Sequence, residues 1–239
     1  MAKLFRQQLH SLQGPTSSSG RIFLESILPF PWNALRDKTM MITLDHASHR
    51  NALTGSMMID FSKIIETLEK NSDSFQFLIL RGKNDCFSSG ADFSLAGGPP
   101  KIGPAMSALM TDTCRRLQAL PCISIAYLEK GAIGGGAELA TATDFRIGHK
   151  TSFLQFVQSR MGLTPGWGGG SRLVQLIGRQ QALKLFLSAN KVNAQEALQL
   201  GMIDHVVQNE EQAVEWITSL GQATPGKYYT FKKEALYMA

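Results

Sequence analysis

Met57, Phe61, Ile64, Ile65 and Leu68 recur on one face at a helical period, which predicts a helix from about Ser56 to Lys70. A second stripe, Met106, Leu109, Met110, Thr113, Leu117 and Leu120, marks another helix. Between them FQFLILRG (75–82) reads as a buried strand ending at a glycine, and CISIAYL (122–128) reads as the next. RIFLE (21–25) and MMITLD (40–45) are strand-like too, separated by PFPWNALRDKT, whose two prolines and polar end predict a loop. Further on, AELATATD predicts a short helix, FRIG a strand, the region near residue 166 a glycine-rich loop, and residues 179–189 a helix. A short helix near 194–200 leads to the strand IDHVV, and EEQAVEWITSLG forms a final helix. Strands alternating with helices make the chain α/β. Residues 1–20, polar and rich in Gln, Ser and Gly, are expected to be a disordered tail ahead of one domain over 21–239.

Composition narrows the classes. The 239 residues are 44% apolar and 18% charged, the balance of a folded soluble protein, and no apolar run reaches the length of a membrane span. A formal net charge of +5 favours anionic ligands, but the basic residues are scattered and no nucleic-acid-binding signature appears, so no nucleic-acid partner is expected. Cys86, Cys114 and Cys122 lack the paired spacing of a disulfide framework or a zinc site, which fits a reducing, cytoplasmic setting. The first acidic residue is Glu25, and Lys3, Arg6 and the serines 17–19 before it give the tail a faint likeness to a transit segment, so mitochondrial residence stays open. The histidines, His46, His49 and His149 among them, have no metal-ligand spacing and read as surface or satisfied groups. Neither a metal nor a bound redox cofactor is expected.

Two segments share one design. In RGKNDCFSSGADFS (81–94) and GAIGGGAELATATDF (131–145) a buried strand gives way to small residues and then to free backbone N–H groups. Glycine permits close approach and positive φ, and a helix start offers unpaired donors in a field that favours negative charge. Two such turns can hold one developing oxyanion between them. A dinucleotide fingerprint fails, because the residue three beyond Gly136 is Leu139. GWGGGSR lacks the Gly-Lys-Ser/Thr ending of a phosphate loop.

In order and with matching spacing, SSGADF, GGGAELATATDFRI and MGLTPGWGGGSRLVQLIGRQQALKLFLSA resemble the enoyl-CoA hydratase/isomerase (crotonase) family, and HRNAL (49–53) fits the start of its first helix. The resemblance runs from about Met40 to Val207. It implies a crotonase-like fold of repeated strand-strand-helix units, an acyl-CoA thioester substrate with coenzyme A carried as part of that substrate, and a homotrimer or homohexamer. Within the family, RGKNDCFSSGAD and MGLTPGWGGGSRLVQLIGRQQAL most resemble members that decarboxylate 2-alkylmalonyl thioesters such as ethylmalonyl-CoA and methylmalonyl-CoA.

The resemblance makes the N–H groups of Ala91 and Gly135 an oxyanion hole, with Gly90 and Gly134 among the residues that bind the substrate and its coenzyme A. Ser89 would lie along the cofactor, or serve as an ordinary turn hydroxyl. Glu138 matches the position of a catalytic glutamate. Where hydratases of the family carry a second glutamate this chain has Gln158, which cannot take a proton from water and so counts against hydration. Loss of carbon dioxide creates a carbanion without a base. Beside a substrate carboxylate, Glu138 is expected to be protonated through burial and like charge, ready to protonate the enolate, while Gln158 orients the leaving carboxylate. Trp167 either walls the acyl pocket or packs the loop beneath it. Asp92 and Asp144 are expected to shape turns or cap helices. Two features depart from the family. The PFPWNALRDKT loop is longer than usual, and the chain stops at Ala239 with the C-terminal helices short or missing, which leaves open an enoyl-CoA hydratase/isomerase or a catalytically silent subunit.

Overall fold

Six strands form the main sheet in the computed structural model, which describes residues 20–71, 75–84, 86–92, 95, 102–220, 232 and 234. β1 (Arg21–Glu25), β2 (Thr39–Asp45), β3 (Phe77–Gly82), β4 (Ile123–Leu128), β6 (Phe145–His149) and β9 (His205–Val207) lie side by side in that order. β1 is antiparallel to β2, and every other pairing is parallel. A parallel sheet must be covered on both faces, and the alternation along its strands supplies two cores. Ile42, Leu44, Leu78, Leu80, Ala126 and Leu128 meet α1 (Gly55–Lys70) and α2 (Ile102–Ala119) on one side. On the other, Met41, Ile79, Ile125, Tyr127 and Ile147 meet Trp32 and the Ala213, Val214 and Ile217 stripe of α7 (Glu210–Leu220). Thr54 caps α1 by accepting from the Met57 N–H at 3.3 Å.

A smaller sheet holds β5 (Gly131–Ile133), β7 (Phe153–Gln155) and β8 (Lys191–Asn193). Strand, strand and helix therefore repeat: β4, β5 and α3 (Gly135–Ala140), then β6, β7 and α4 (Gly169–Ile177), followed by α5 (Arg179–Ser188) and α6 (Ala194–Leu200). Three-residue strands are too short to carry a periodic signal, so the sequence pattern yields none of these three.

Two further expectations are corrected. PFPWNALRDKT is not an open loop, for Trp32–Lys38 is a 3-10 helix. Trp32 is fully buried, stacks edge-on against Tyr127 with ring centroids 5.0 Å apart, and donates its indole N–H to Glu210 at 2.6 Å. The glycine-rich loop near residue 166 is present and ends at Gly168, and α4, which the sequence pattern does not give, follows from Gly169. The helix expected over AELATATD begins earlier, at Gly135, and ends at Ala140, where the Thr141 and Thr143 hydroxyls turn back onto the carbonyls of Glu138 and Ala140 at 2.7 and 2.9 Å. The expected tail lies, except for Gly20, outside the described residues, as does most of the chain beyond Leu220. Among the described residues no helix is long and apolar enough to cross a membrane.

Candidate active site

The two turns singled out in the sequence lie against each other. Ser88 and Ala132 form a parallel bridge, with the Ile133 N–H on the Ser88 carbonyl at 2.9 Å and the Ser88 N–H on the Gly131 carbonyl at 3.2 Å. Leu53 and Ala91 form a second bridge, through Leu53 N–H to Gly90 O at 2.8 Å and Asp92 N–H to Leu53 O at 2.9 Å. Gly90 sits at φ +95° and Gly134 at φ +55°, conformations that suit glycine. A Cβ on Gly90 would come within 2.9 Å of the Gly135 nitrogen, so the turns touch backbone to backbone. Among the described residues neither the Ala91 nor the Gly135 N–H has a hydrogen-bond acceptor. Two neighbouring, unengaged main-chain donors are what an oxyanion requires.

Asn51 holds the first turn from behind. Fully buried at φ +55°, it donates from Nδ2 to the carbonyls of Lys83 and Cys86 at 2.8 and 2.7 Å, and its Oδ1 accepts the His46 N–H at 2.8 Å. Ser89, half-buried, uses its hydroxyl on the His49 carbonyl at 2.9 Å and its N–H on the Arg50 carbonyl at 3.0 Å. Asp144 accepts from the Ser124 N–H and hydroxyl at 2.8 Å and pairs with Lys232 at 2.7 Å, away from the turns.

Glu138, on α3, is buried. Its Oε1 accepts from Gln158 Nε2 at 2.9 Å and the Gly166 N–H at 3.2 Å; its Oε2 accepts from the N–H groups of Trp167 at 2.7 Å and Gly169 at 3.0 Å. The carboxylate thus meets the first N–H of α4, where the helix field favours negative charge. Burial pushes its pKa above the ordinary glutamate value, while the Gly169, Trp167 and Gln158 hydrogen bonds and the Arg172 charge pull it back only in part. A Cβ on Gly169 would strike the Glu138 side chain, which explains a glycine at that helix start.

Gln158 lies in a 3-10 turn (Gln158–Met161) with its Oε1 buried and, among the described residues, unpartnered. Trp167 is buried in the core cluster with its ring pressed on Gly135, so it packs the floor under the second turn. Sequence reasoning missed Arg172. Its buried guanidinium donates to the carbonyls of Glu138 and Trp167 at 2.8 and 2.9 Å and to the Thr141 hydroxyl at 3.1 Å, tying α3 to the glycine loop. An arginine two residues beyond the Gly168–Gly170 triplet was the available signal. Clefts of about 570 and 640 Å³ lie elsewhere, one beside Tyr127 and Glu210 and one between α4 and α5, and neither is lined by Ala91, Gly135, Glu138 or Gln158.

The family described as enoyl-CoA hydratase/isomerase matches residues 36–237. Ethylmalonyl-CoA decarboxylase of Xenopus tropicalis is 43% identical over 183 residues, 74% of this chain and 61% of that protein. The Homo sapiens protein of the same name is 38% identical over 201 residues, 81% of this chain and 65% of its own length. The chain spans less than two thirds of the length of these relatives. Among solved structures, an enoyl-CoA hydratase from Bacillus anthracis superposes with a TM-score of 0.80 at 26% identity, covering 89% of this chain and 81% of that one. A Thermobifida fusca chain in complex with acetoacetyl-CoA gives 0.77 at 27% identity, covering 90% and 86%.

Proposed function

The chain belongs to the enoyl-CoA hydratase/isomerase family, and on that premise we propose that it decarboxylates a 2-alkylmalonyl-CoA, ethylmalonyl-CoA or methylmalonyl-CoA, through a thioester enolate. The bond from C2 to the free carboxylate breaks, carbon dioxide leaves, and the electron pair moves into the thioester as an enolate. The Ala91 and Gly135 N–H groups receive the oxygen charge. Glu138 delivers a proton to C2. Its raised pKa supports this role, and a substrate carboxylate beside it pushes the pKa further in the same direction. Gln158 Nε2 has a second hydrogen besides the one on Glu138, with which it orients the departing carboxylate without adding charge. Coenzyme A is carried as part of the substrate.

The observation that carries the reading is the pairing of Glu138 with an amide at 2.9 Å beside two unengaged donors, rather than with a second carboxylate. The name of the Xenopus and human relatives supports the same choice. Carbon dioxide release from malonyl, methylmalonyl and ethylmalonyl thioesters tests it, with release expected from the alkylated substrates. The enoyl-CoA hydratases among the structural neighbours favour a second reading. Brisk hydration of a 2-enoyl thioester with no decarboxylation would establish that one, and binding without either activity would point to a silent subunit.

A homotrimer or homohexamer belongs to the proposal, supported by exposed Leu163, Leu183 and Leu187. Light scattering that returns a monomer would remove it. The cytoplasm is the proposed compartment, supported by three buried, free cysteines; fractionation into mitochondria would overturn it.

A further inference from the structure

A cluster outside the proposed chemistry joins the end of β2 to the first turn. His46, His49 and Asp92 each offer one ligand atom, and these atoms lie within 4.8 Å of one another. The sequence reading treats the histidines as surface or satisfied groups, and His46 is neither. It is buried, and its Nδ1 stands 2.9 Å from the Ala52 carbonyl. A carbonyl only accepts, so Nδ1 carries the proton and Nε2 presents a lone pair. That Nε2 is buried without a partner among the described residues. A buried nitrogen acceptor left unmet carries a desolvation penalty that a ligand would remove. A backbone carbonyl on the opposite ring nitrogen is also the arrangement that fixes a metal-binding histidine's tautomer and orientation.

We infer that His46, His49 and Asp92 form a binding site for a first-row divalent cation of the zinc class. Two imidazoles and a carboxylate suit such a cation and leave one coordination position for water. Ligand atoms around tetrahedral zinc stand about 3.3 Å apart, so the cluster closes modestly on binding. His49, exposed and held at Nδ1 among the described residues only by the Ser48 hydroxyl at 2.9 Å, is the arm able to move. The rings of His46 and His49 already lie 4.5 Å apart. A bound ion would join the 3-10 turn Ala47–His49 to the residue following Ala91, along a seam now held by Ser89 on His49 and Arg50 and by Leu53 on Gly90. Its effect would be to stiffen the turn that presents the Ala91 N–H.

Calorimetric titration of the full chain with zinc chloride, in a buffer that does not bind metal, tests it alongside His49→Ala and Asp92→Asn. Circular dichroism of each variant checks the fold. One equivalent bound by the wild-type chain is expected. Each substitution should weaken binding by more than the roughly 10- to 100-fold that losing a ligand's hydrogen-bond partner costs. Cobalt(II) should give visible bands of an imidazole-ligated site in the wild type and lose them in both variants. Absence of zinc binding, or zinc bound equally by folded variants through other surface histidines, would overturn the site.

Discussion

Replacing Gly135 with alanine probes the second turn directly. An added Cβ would stand 2.6 Å from Cη2 and Cζ3 of Trp167, about 1 Å inside ordinary carbon contact. The indole is 3% exposed and packed in the core, so it has little room to retreat. The displacement therefore passes into the first turn of α3 and tilts the Gly135 N–H. Loss of one such donor costs roughly 100- to 1000-fold in turnover, about 2.7–4 kcal/mol of transition-state stabilisation. Overpacking adds about 1–3 kcal/mol of lost stability, so thermal melting must accompany the kinetics. The assay is carbon dioxide release from ethylmalonyl-CoA, set beside the dissociation constant of an unreactive CoA thioester. Turnover should collapse while binding changes little. The double variant Gly135→Ala/Trp167→Leu removes the obstructing ring and should recover part of the rate. A folded single variant with wild-type turnover would refute the role of this turn.

Glu138→Gln places an amide NH2 among the N–H donors of Gly166, Trp167 and Gly169, so carbon dioxide release should nearly vanish and stability should fall by about 1–3 kcal/mol; wild-type turnover would exclude Glu138 as the proton donor. In the wild type, burial raises the Glu138 pKa, so its protonated form persists above the ordinary glutamate range and turnover should decline as pH rises through that shifted value. A pH profile of turnover flat across the acid limb and into neutrality would contradict this. Gln158→Glu sets a second carboxyl against Glu138 where 2.9 Å now separates amide and carboxylate. Decarboxylation should slow, and hydration of a 2-enoyl thioester, followed by loss of its conjugated absorbance, should become measurable.

The long elements and the glycine turns were legible in the sequence because each repeats a local rule. The apolar stripes of α1, α2 and α7 obey the helical period, and β2, β3 and β4 are predominantly apolar segments. What escaped depends on distant partners. The prolines around Trp32 speak for a loop, and only the packing of Trp32 on Tyr127 and its hydrogen bond to Glu210 bury that side chain in a 3-10 helix. The glycines at 168–170 speak against α4, and only the Glu138 carboxylate explains why its first N–H, that of Gly169, is satisfied. Arg172 acts on carbonyls 34 and 5 residues away, and no spacing rule links them. The unmet His46 nitrogen follows from burial alone, which a sequence pattern does not reveal.

The two unengaged donors are main-chain groups held by main-chain bridges. Their separation therefore depends on the glycines at 90, 134 and 135 and on the Asn51 and Trp167 side chains behind them, is less sensitive to the other surrounding side chains, and is acutely sensitive to chain length. Substitutions around the acyl group can retune which thioester is accepted without disturbing the charge-holding pair. Inserting or deleting one residue between Gly82 and Ala91, or between Leu128 and Gly135, shifts the Ser88–Ala132 bridge out of phase and separates the donors. Outside those positions the turns should thus tolerate drift in sequence while resisting change in length, and an insertion scan would map that tolerance as a sharp boundary at both ends of the bridge.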